Sequence, residues 1–421
     1  MPTNQISLYY GSLDIPCALV LLKAWFVSPF LSRSKAEADL TEAVRADLKR
    51  GDVFAYASAR GALAAVFRAA GISQGDEVVL SGFTCLAVPT AVVTIGARPI
   101  YVDIDPLSLN MTPAAVVSAM GPRVRAVVLQ HTMGNVAAVI AVVQAARSRG
   151  IIVIEDCALA TGTRQQGFPV GINADAAIFS MELSKTISTG WGGILVVQTP
   201  ALIKSVRRQH DGIILRGILS TTRDTWQIAL TAFFLHHRFY RLGRYVYAIA
   251  FKLNIFRYST PVDELEGKPA IDFIARMGLP QLRLAAHQWR RLAHVRVVSG
   301  RHVRILQAAL QAARLRAVGV APLSDEPVSP RVCFLVQSPA RTTAWFFSRG
   351  VELGRWFDGP LSPPPTVDAF SYDPALIPNA VQVARQIVNL PTHCGITIKE
   401  CKRLVAMIFE YANEYPEDRI E

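Results

Sequence analysis

The sequence predicts an α/β fold with a mostly parallel sheet, followed by a smaller C-terminal α/β domain. Three observations carry this. Short β-rich runs alternate with helical patterns from about residue 50 to 200, which is how a parallel sheet with covering helices is encoded. Those runs are almost continuously apolar, as strands buried on both faces are. After Pro200 the pattern turns helical and Arg-rich to about residue 316, and a mixed segment follows.

The elements follow in order. Residues 1–40 form an N-terminal segment. Its apolar stretch Cys17–Phe30 is interrupted by Lys23, with no basic leader or small-residue cleavage site. It reads as a packed segment rather than a signal peptide. The large domain covers 41–260. Its strands are Val78–Ser81, Pro99–Ile104, Ala126–Gln130, Ile151–Glu155, Ala176–Ser180 and Gly193–Val197. Helices are expected over Gly61–Ala70, Thr84–Ile95, Pro113–Met120 and Asn135–Ser148. Thr112-Pro113 is a good helix start, a hydroxyl cap followed by proline in the first turn. The small domain covers 261–421. It holds a strand at Arg331–Gln337, a Pro-rich loop at Pro360–Pro365 and a last helix near Ile398–Tyr411.

Composition narrows the function classes. Of 421 residues, 51% are hydrophobic and 18% charged, which excludes global disorder. The six cysteines are scattered with no C-x-x-C pair, so a disulfide scaffold or structural zinc site is not expected. A reduced, cytoplasmic compartment fits. The formal net charge is +12. Trp226–Tyr258 carries five basic residues and no acid, and Gln281–Arg316 carries eight and no acid. Together they account for the excess, and the rest of the chain is close to neutral. Both segments are expected to face an anionic surface: a substrate phosphate, a partner subunit or a membrane. Trp226–Tyr258 is also aromatic and apolar, but its uncharged runs are too short to span a bilayer. A buried helical insertion or a subunit contact is the plainer reading. Peripheral membrane contact through 226–258 stays open, because periodicity alone does not separate a core face from a lipid face. Nucleic acid is not an expected partner, since no zinc-finger spacing or RNP-like aromatic motif accompanies the charge.

Three features fall at predicted strand ends, where open parallel sheets bind ligands. Ser58-Ala59-Arg60-Gly61 is a small-residue turn opening a helix, suited to a phosphate on backbone amides. Ile151–Glu155 runs into Asp156, a carboxylate at a strand edge. Ser180 ends a strand, Lys185 follows five residues later, and Gly190-Trp191-Gly192-Gly193 leads into the next. Each has a plain reading alone: a capping turn, a helix cap, a surface lysine. Together they match what pyridoxal 5′-phosphate (PLP) needs. That is a phosphate cup, a carboxylate for the pyridine nitrogen, and a lysine for the carbonyl carbon.

Over roughly residues 40–215 the chain resembles the DegT/DnrJ/EryC1/StrS family of PLP-dependent sugar aminotransferases. The resemblance rests on Gly75-Asp76-Glu77-Val78, Ser81-Gly82-Phe83-Thr84, Gly96-Ala97-Arg98-Pro99 and Val102-Asp103-Ile104-Asp105. It continues through His131 with Gly134, Ile154-Glu155-Asp156-Cys157-Ala158, Phe179-Ser180, Lys185 and Gly192-Gly193. Glu352–Asp358 and Val388–His393 extend it into the tail. The resemblance implies a type I, aspartate-aminotransferase-like fold working as a homodimer. It implies PLP held by Lys185, with Asp156 on the pyridinium and Ser180, Ser58, Ala59, Arg60 and Gly61 around the phosphate. Phe83, Thr84 and Cys85 would lie over the ring, and His131, Trp356 and His393 would meet substrate. The implied partners are an amino-acid donor, L-glutamate, and a nucleotide-linked keto sugar, in polysaccharide or secondary-metabolite biosynthesis.

The chain departs from the family at three places. Ala59-Arg60 replaces Gly-Thr, Cys85 replaces a stacking aromatic, and Leu159 replaces a polar residue three positions after the Asp. Asn254 is the candidate for the asparagine a partner subunit lends to the phosphate. Lys185 argues against the His-substituted dehydratase branch. The departures keep open a non-catalytic relative acting as a regulatory or assembly subunit.

Overall fold

The computed structural model describes residues 6–8, 13–234, 240–253, 256, 262–268, 273–319, 326–366 and 368–420. Arg238, Asn254 and Arg257 lie outside them. A seven-stranded sheet holds β1 (Asp52–Tyr56), β2 (Glu77–Ser81), β3 (Arg98–Val102), β4 (Val124–Gln130), β5 (Ile152–Asp156), β6 (Ala176–Ser180) and β7 (Gly193–Val197). Its order is β1-β7-β6-β5-β4-β2-β3. Only β7 runs against the others, so β1 lies parallel to β6 across it.

Side chains alternate between the faces. On one side Ile154, Ile178 and Leu195 pack with α3 (Ala59–Ala69), α4 (Ala87–Val93) and, further along, α7 (Pro200–Gly212). On the other side Val127 and Val153 pack with α5 (Pro113–Ala119) and α6 (Val139–Arg147). Ala177, Phe179 and Ile194 there pack with α2 (Arg33–Leu48) and α11 (Leu279–Arg290). The result is the three-layer α/β sandwich that the apolar runs predict.

Two local expectations differ. β1 has no counterpart among the predicted strands. The helix expected from Thr84 begins at Ala87. Thr84 and Cys85 instead pair in parallel with Leu361–Ser362, and the Thr84 and Leu86 N–H groups bond to the Pro360 and Ser362 carbonyls. A partner more than 270 positions away overrides the local helical pattern.

A smaller antiparallel sheet joins β8 (Arg316–Val318), β9 (Arg331–Leu335) and β10 (Ile387–Pro391). It packs on α12 (Leu292–Ala312), α13 (Pro339–Ser348) and α15 (Ile398–Glu414). Its other face meets Phe83, Leu159 and α14 (Pro378–Gln386). The expected boundary near residue 260 does not coincide with a change of core. Met277 and α11 belong with the large sheet, and α12 spans both cores: Leu292 and Val295 in one, Val303 and Leu306 in the other.

Three of the remaining helices form a separate layer. α1 (Ile15–Phe26) packs on α8 (Ile218–Phe234) and α11, with Cys17, Leu21, Ile228, Ala232 and Leu284 between them. α9 (Tyr240–Lys252) packs on α8. α10 (Val262–Leu265) is a single turn. Three of the eight basic residues of 281–316 pair with acids near the N-terminus. Arg283 pairs with Asp39, Arg291 with Asp14 at 2.6 Å and Arg296 with Asp47 at 3.1 Å. For these three the anionic partner is the chain's own N-terminal segment, while Arg290, Arg301, Arg304 and Arg314 are exposed.

Candidate active site

The register places the site. Tyr56, Gly193 and Ser180 are cross-strand partners in one row, so the ends of β1 and β6 and the start of β7 share an edge. β5 ends there too, at Asp156. A cleft of about 210 Å³ opens at this edge. Ser58, Ala59, Arg60, Cys85, Asp156, Ser180, Lys185 and Trp356 line it, eight of the thirteen residues expected at the site.

Ser58 caps α3, its hydroxyl accepting the Gly61 N–H at 3.1 Å. The first-turn amides therefore head toward the cleft with the positive end of the helix. Two glycines make this approach fit. A Cβ at Gly193 would lie 2.4 Å from Ala59 Cα, and one at Gly61 would lie 2.3 Å from the Phe273 carbonyl oxygen. Gly61 thus serves the turn without lining the cleft. Arg60 lines it but is also committed to Glu264 of α10 at 2.8 Å.

Asp156 is buried, and its Oδ1 accepts the Ala158 N–H at 2.9 Å. Burial raises its carboxyl above the ordinary value, although that hydrogen bond and the Lys185 charge pull the other way. Lys185 lies in the turn between β6 and β7, where its N–H bonds to the Glu182 carbonyl. Its Nζ stands 5.3 Å from the centroid of the Trp356 ring. Burial raises the Cys85 thiol as well, opposed by Lys185 and Arg60.

Five expected residues have other roles. Gly61 packs the turn, as above. Phe83 is fully buried, edge-on to Phe357 with centroids 5.1 Å apart. Thr84 donates its hydroxyl to Gln130 Oε1 at 2.6 Å. His131 is enclosed: its Nδ1 accepts the Ala137 N–H and its Nε2 faces Glu155 at 3.0 Å. That arrangement makes it a structural residue rather than a substrate ligand. His393 donates from Nε2 to the Ser7 carbonyl at 2.8 Å, and burial drives its pKa down to about 4. It lies behind Lys185, in a small void that Lys185 also lines, and not in the main cleft. Leu159 sits in the apolar cluster with Phe83 and Phe357, so no polar partner is needed there.

The sequence reading missed four contributors. Glu182 and Trp191 line the cleft, although both lie within the runs around Lys185. Asn389 is buried and clamps the Trp356 backbone, accepting its N–H at 2.5 Å and donating to its carbonyl at 3.0 Å. The Arg331 guanidinium lies 3.3 Å from the Trp356 ring centroid. Both act from the small sheet, through tertiary contacts that spacing does not reveal.

The comparisons agree with this architecture. The model of the DegT/DnrJ/EryC1/StrS aminotransferase family matches residues 21–229. The chain is 38% identical over 157 residues to L-glutamine:scyllo-inosose aminotransferase of Streptomyces griseus, 37% of each chain. Such matches span about a third of the length of the curated relatives. Among solved structures it is similar to the aminotransferase TlmJ of Streptoalloteichus hindustanus. There the TM-score is 0.72 at 21% identity, over 97% of this chain and 99% of that one. DesI, crystallised with its TDP-sugar product, gives a TM-score of 0.73 at 20% identity, over 99% and 95%. These likenesses cover both sheets and show the type I PLP-transferase fold. Through residues 21–229 the chain is similar to the DegT/DnrJ/EryC1/StrS aminotransferase family.

Proposed function

We propose that this protein is a PLP-dependent aminotransferase. It would move an amino group from a glutamate-type amino acid to a ketone on a hydroxylated six-membered ring. The observation that carries the reading is the meeting of the α3 start, Asp156, Ser180 and Lys185 at one cleft. These donors fit the cofactor. The α3 amides and the Ser180 hydroxyl would take its phosphate, where a helix end favours an anion. Asp156, buried and bonded through Oδ1, would face its protonated ring nitrogen. Lys185 would hold its carbonyl carbon. When bound, PLP supplies an electron sink for a carbanion at the donor's α-carbon.

The chain's own groups do the rest. Lys185 Nζ would take the proton from the donor's α-carbon and hold it for return in the second half of the transfer. Trp356, fixed by Asn389 and Arg331, closes the cleft from the small sheet and keeps water from Lys185. A nucleotide-linked keto sugar is the acceptor we favour, and the ketone scyllo-inosose, named for the Streptomyces griseus relative, is the comparison substrate. The reading includes a cytoplasmic homodimer. Free thiols at all six cysteines suit a reducing compartment.

The purified protein should bind PLP with a visible absorbance band that an amino donor bleaches. Lys185→Ala should lose both the band and the transfer. An unchanged band in Lys185→Ala would overturn the assignment. Acceptor choice is read by supplying a TDP-keto sugar and scyllo-inosose separately.

A further inference from the structure

α8 buries polar side chains beside the apolar Ile228 and Ala232. Its inward side carries Asp224, Gln227 and Thr231, all buried. Asp224 is held there by an almost wholly enclosed ion pair with Arg216. Its outward side carries Leu219, Arg223, Trp226 and Phe233, a spacing that forms one helical stripe. Leu219 is 86% exposed and Ile218 beside it 85%.

α1 presents a similar outward stripe. Cys17, Leu21 and Ala24 face inward, while Ile15, Leu19, Lys23 and Phe26 face out. Phe30 follows, 89% exposed. Trp25 links the two stripes, edge-on to Trp226 at 5.8 Å and donating to Thr222 Oγ1 at 3.1 Å. On α9 and just past it, Tyr245, Ile249, Lys252 and Leu253 are exposed at helical spacing. A contiguous apolar face of this kind on a water-soluble fold marks a docking site.

Charge decides what covers it. α1 and α9 contain no acid, and the single acid of α8 is buried and paired. The exposed bases are Lys23, Arg223 and Lys252. A second copy docked through the same face about a twofold axis would set these bases against each other. An anionic surface would match them. Near the N-terminal end of α8 lies a cleft of about 530 Å³. There the exposed Arg68 and Arg208 stand beside Ile214 and Leu215, which joins cationic groups to apolar ones as a phospholipid requires. No helix among the described residues is long and apolar enough to cross a membrane, so the contact would be one of lying on the surface.

We propose that the outward faces of α1 and α8 dock this protein on an anionic bilayer. Their apolar side chains enter the interface, and Lys23, Arg223, Arg68 and Arg208 meet headgroup phosphates. The catalytic turn lies directly behind this layer. Leu183 and Trp191 pack against it, and Trp191 lines the active cleft. Docking would hold that cleft at the membrane, whatever substrate it takes.

The test spins the PLP-loaded full chain with vesicles of phosphatidylcholine alone, or mixed with phosphatidylglycerol, at low and high salt. The expected result is recovery with the anionic vesicles only, falling as salt rises. Phe30→Glu with Leu219→Glu should weaken partitioning by about tenfold or more. Both side chains are nearly fully exposed, so circular dichroism and molecular size should stay unchanged. Three results would overturn the proposal. One is no recovery with anionic vesicles, and another is equal recovery with neutral ones. The third is a smaller oligomer in the double variant, which would mark the face as a contact between copies.

Discussion

Glu155 and Asp156 adjoin in the chain, yet β5 turns them to opposite tasks. Glu155 accepts from the Gly171, Asn173 and Ala174 amides and faces His131. Burial alone would raise its carboxyl, but these partners bring it below the ordinary value. Asp156 keeps a raised carboxyl at the cleft. Its ionised form is what holds a ring cation, and that cation would in turn lower its pKa. PLP affinity should therefore hold at neutral pH and fall as acidification enters the raised range above 3.8. Asp156→Asn should flatten that dependence, keep PLP bound and slow transfer by about 100-fold or more. Equilibrium dialysis across pH, with single-turnover rates, checks both. Asp156 and Lys185 were legible because strand ends and turns are written locally. His131 and His393 were not. Each sits in a motif, but its role is set by Glu155 or by Ser7, nearly 400 positions away.

Among elements, the α3 start depends on a neighbour without a side chain. Gly193 opens β7 and lets the Ser58–Ala59 backbone settle against it. Gly193→Ala should push α3 back, costing about 1–3 kcal/mol of stability. PLP affinity should drop with it, while the Lys185 turn stays able to react. Denaturant titration and a PLP binding isotherm separate the two effects. Six of the seven strands of the large sheet could be read from apolar runs, because burial on both faces leaves a continuous signal. β1 (Asp52–Tyr56) was missed. The pairing of Thr84–Cys85 with Leu361–Ser362 was unreadable because its partner is set by the tertiary fold.

The whole molecule is tied together by α12, whose first turns belong to the large core and whose later turns belong to the small one. A proline at Ser299, near the crossover, should cost about 3 kcal/mol or more. It should also split one calorimetric unfolding transition into two. A single transition in Ser299→Pro would mean that contacts around Phe83 and Phe357 suffice to couple the cores. The charge excess was legible as two segments but not in its meaning. Three of the eight bases of 281–316 are answered by Asp14, Asp39 and Asp47. The exposed apolar side chains of α8 and of the turn after α1 bear on more than docking. Ile218, Leu219 and Phe30 take no part in any core, so polar replacements there should change folding by no more than about 0.5 kcal/mol. Where the protein resides and what it catalyses are then separable traits. A lineage could gain or shed its attachment through a few surface codons and leave the chemistry untouched.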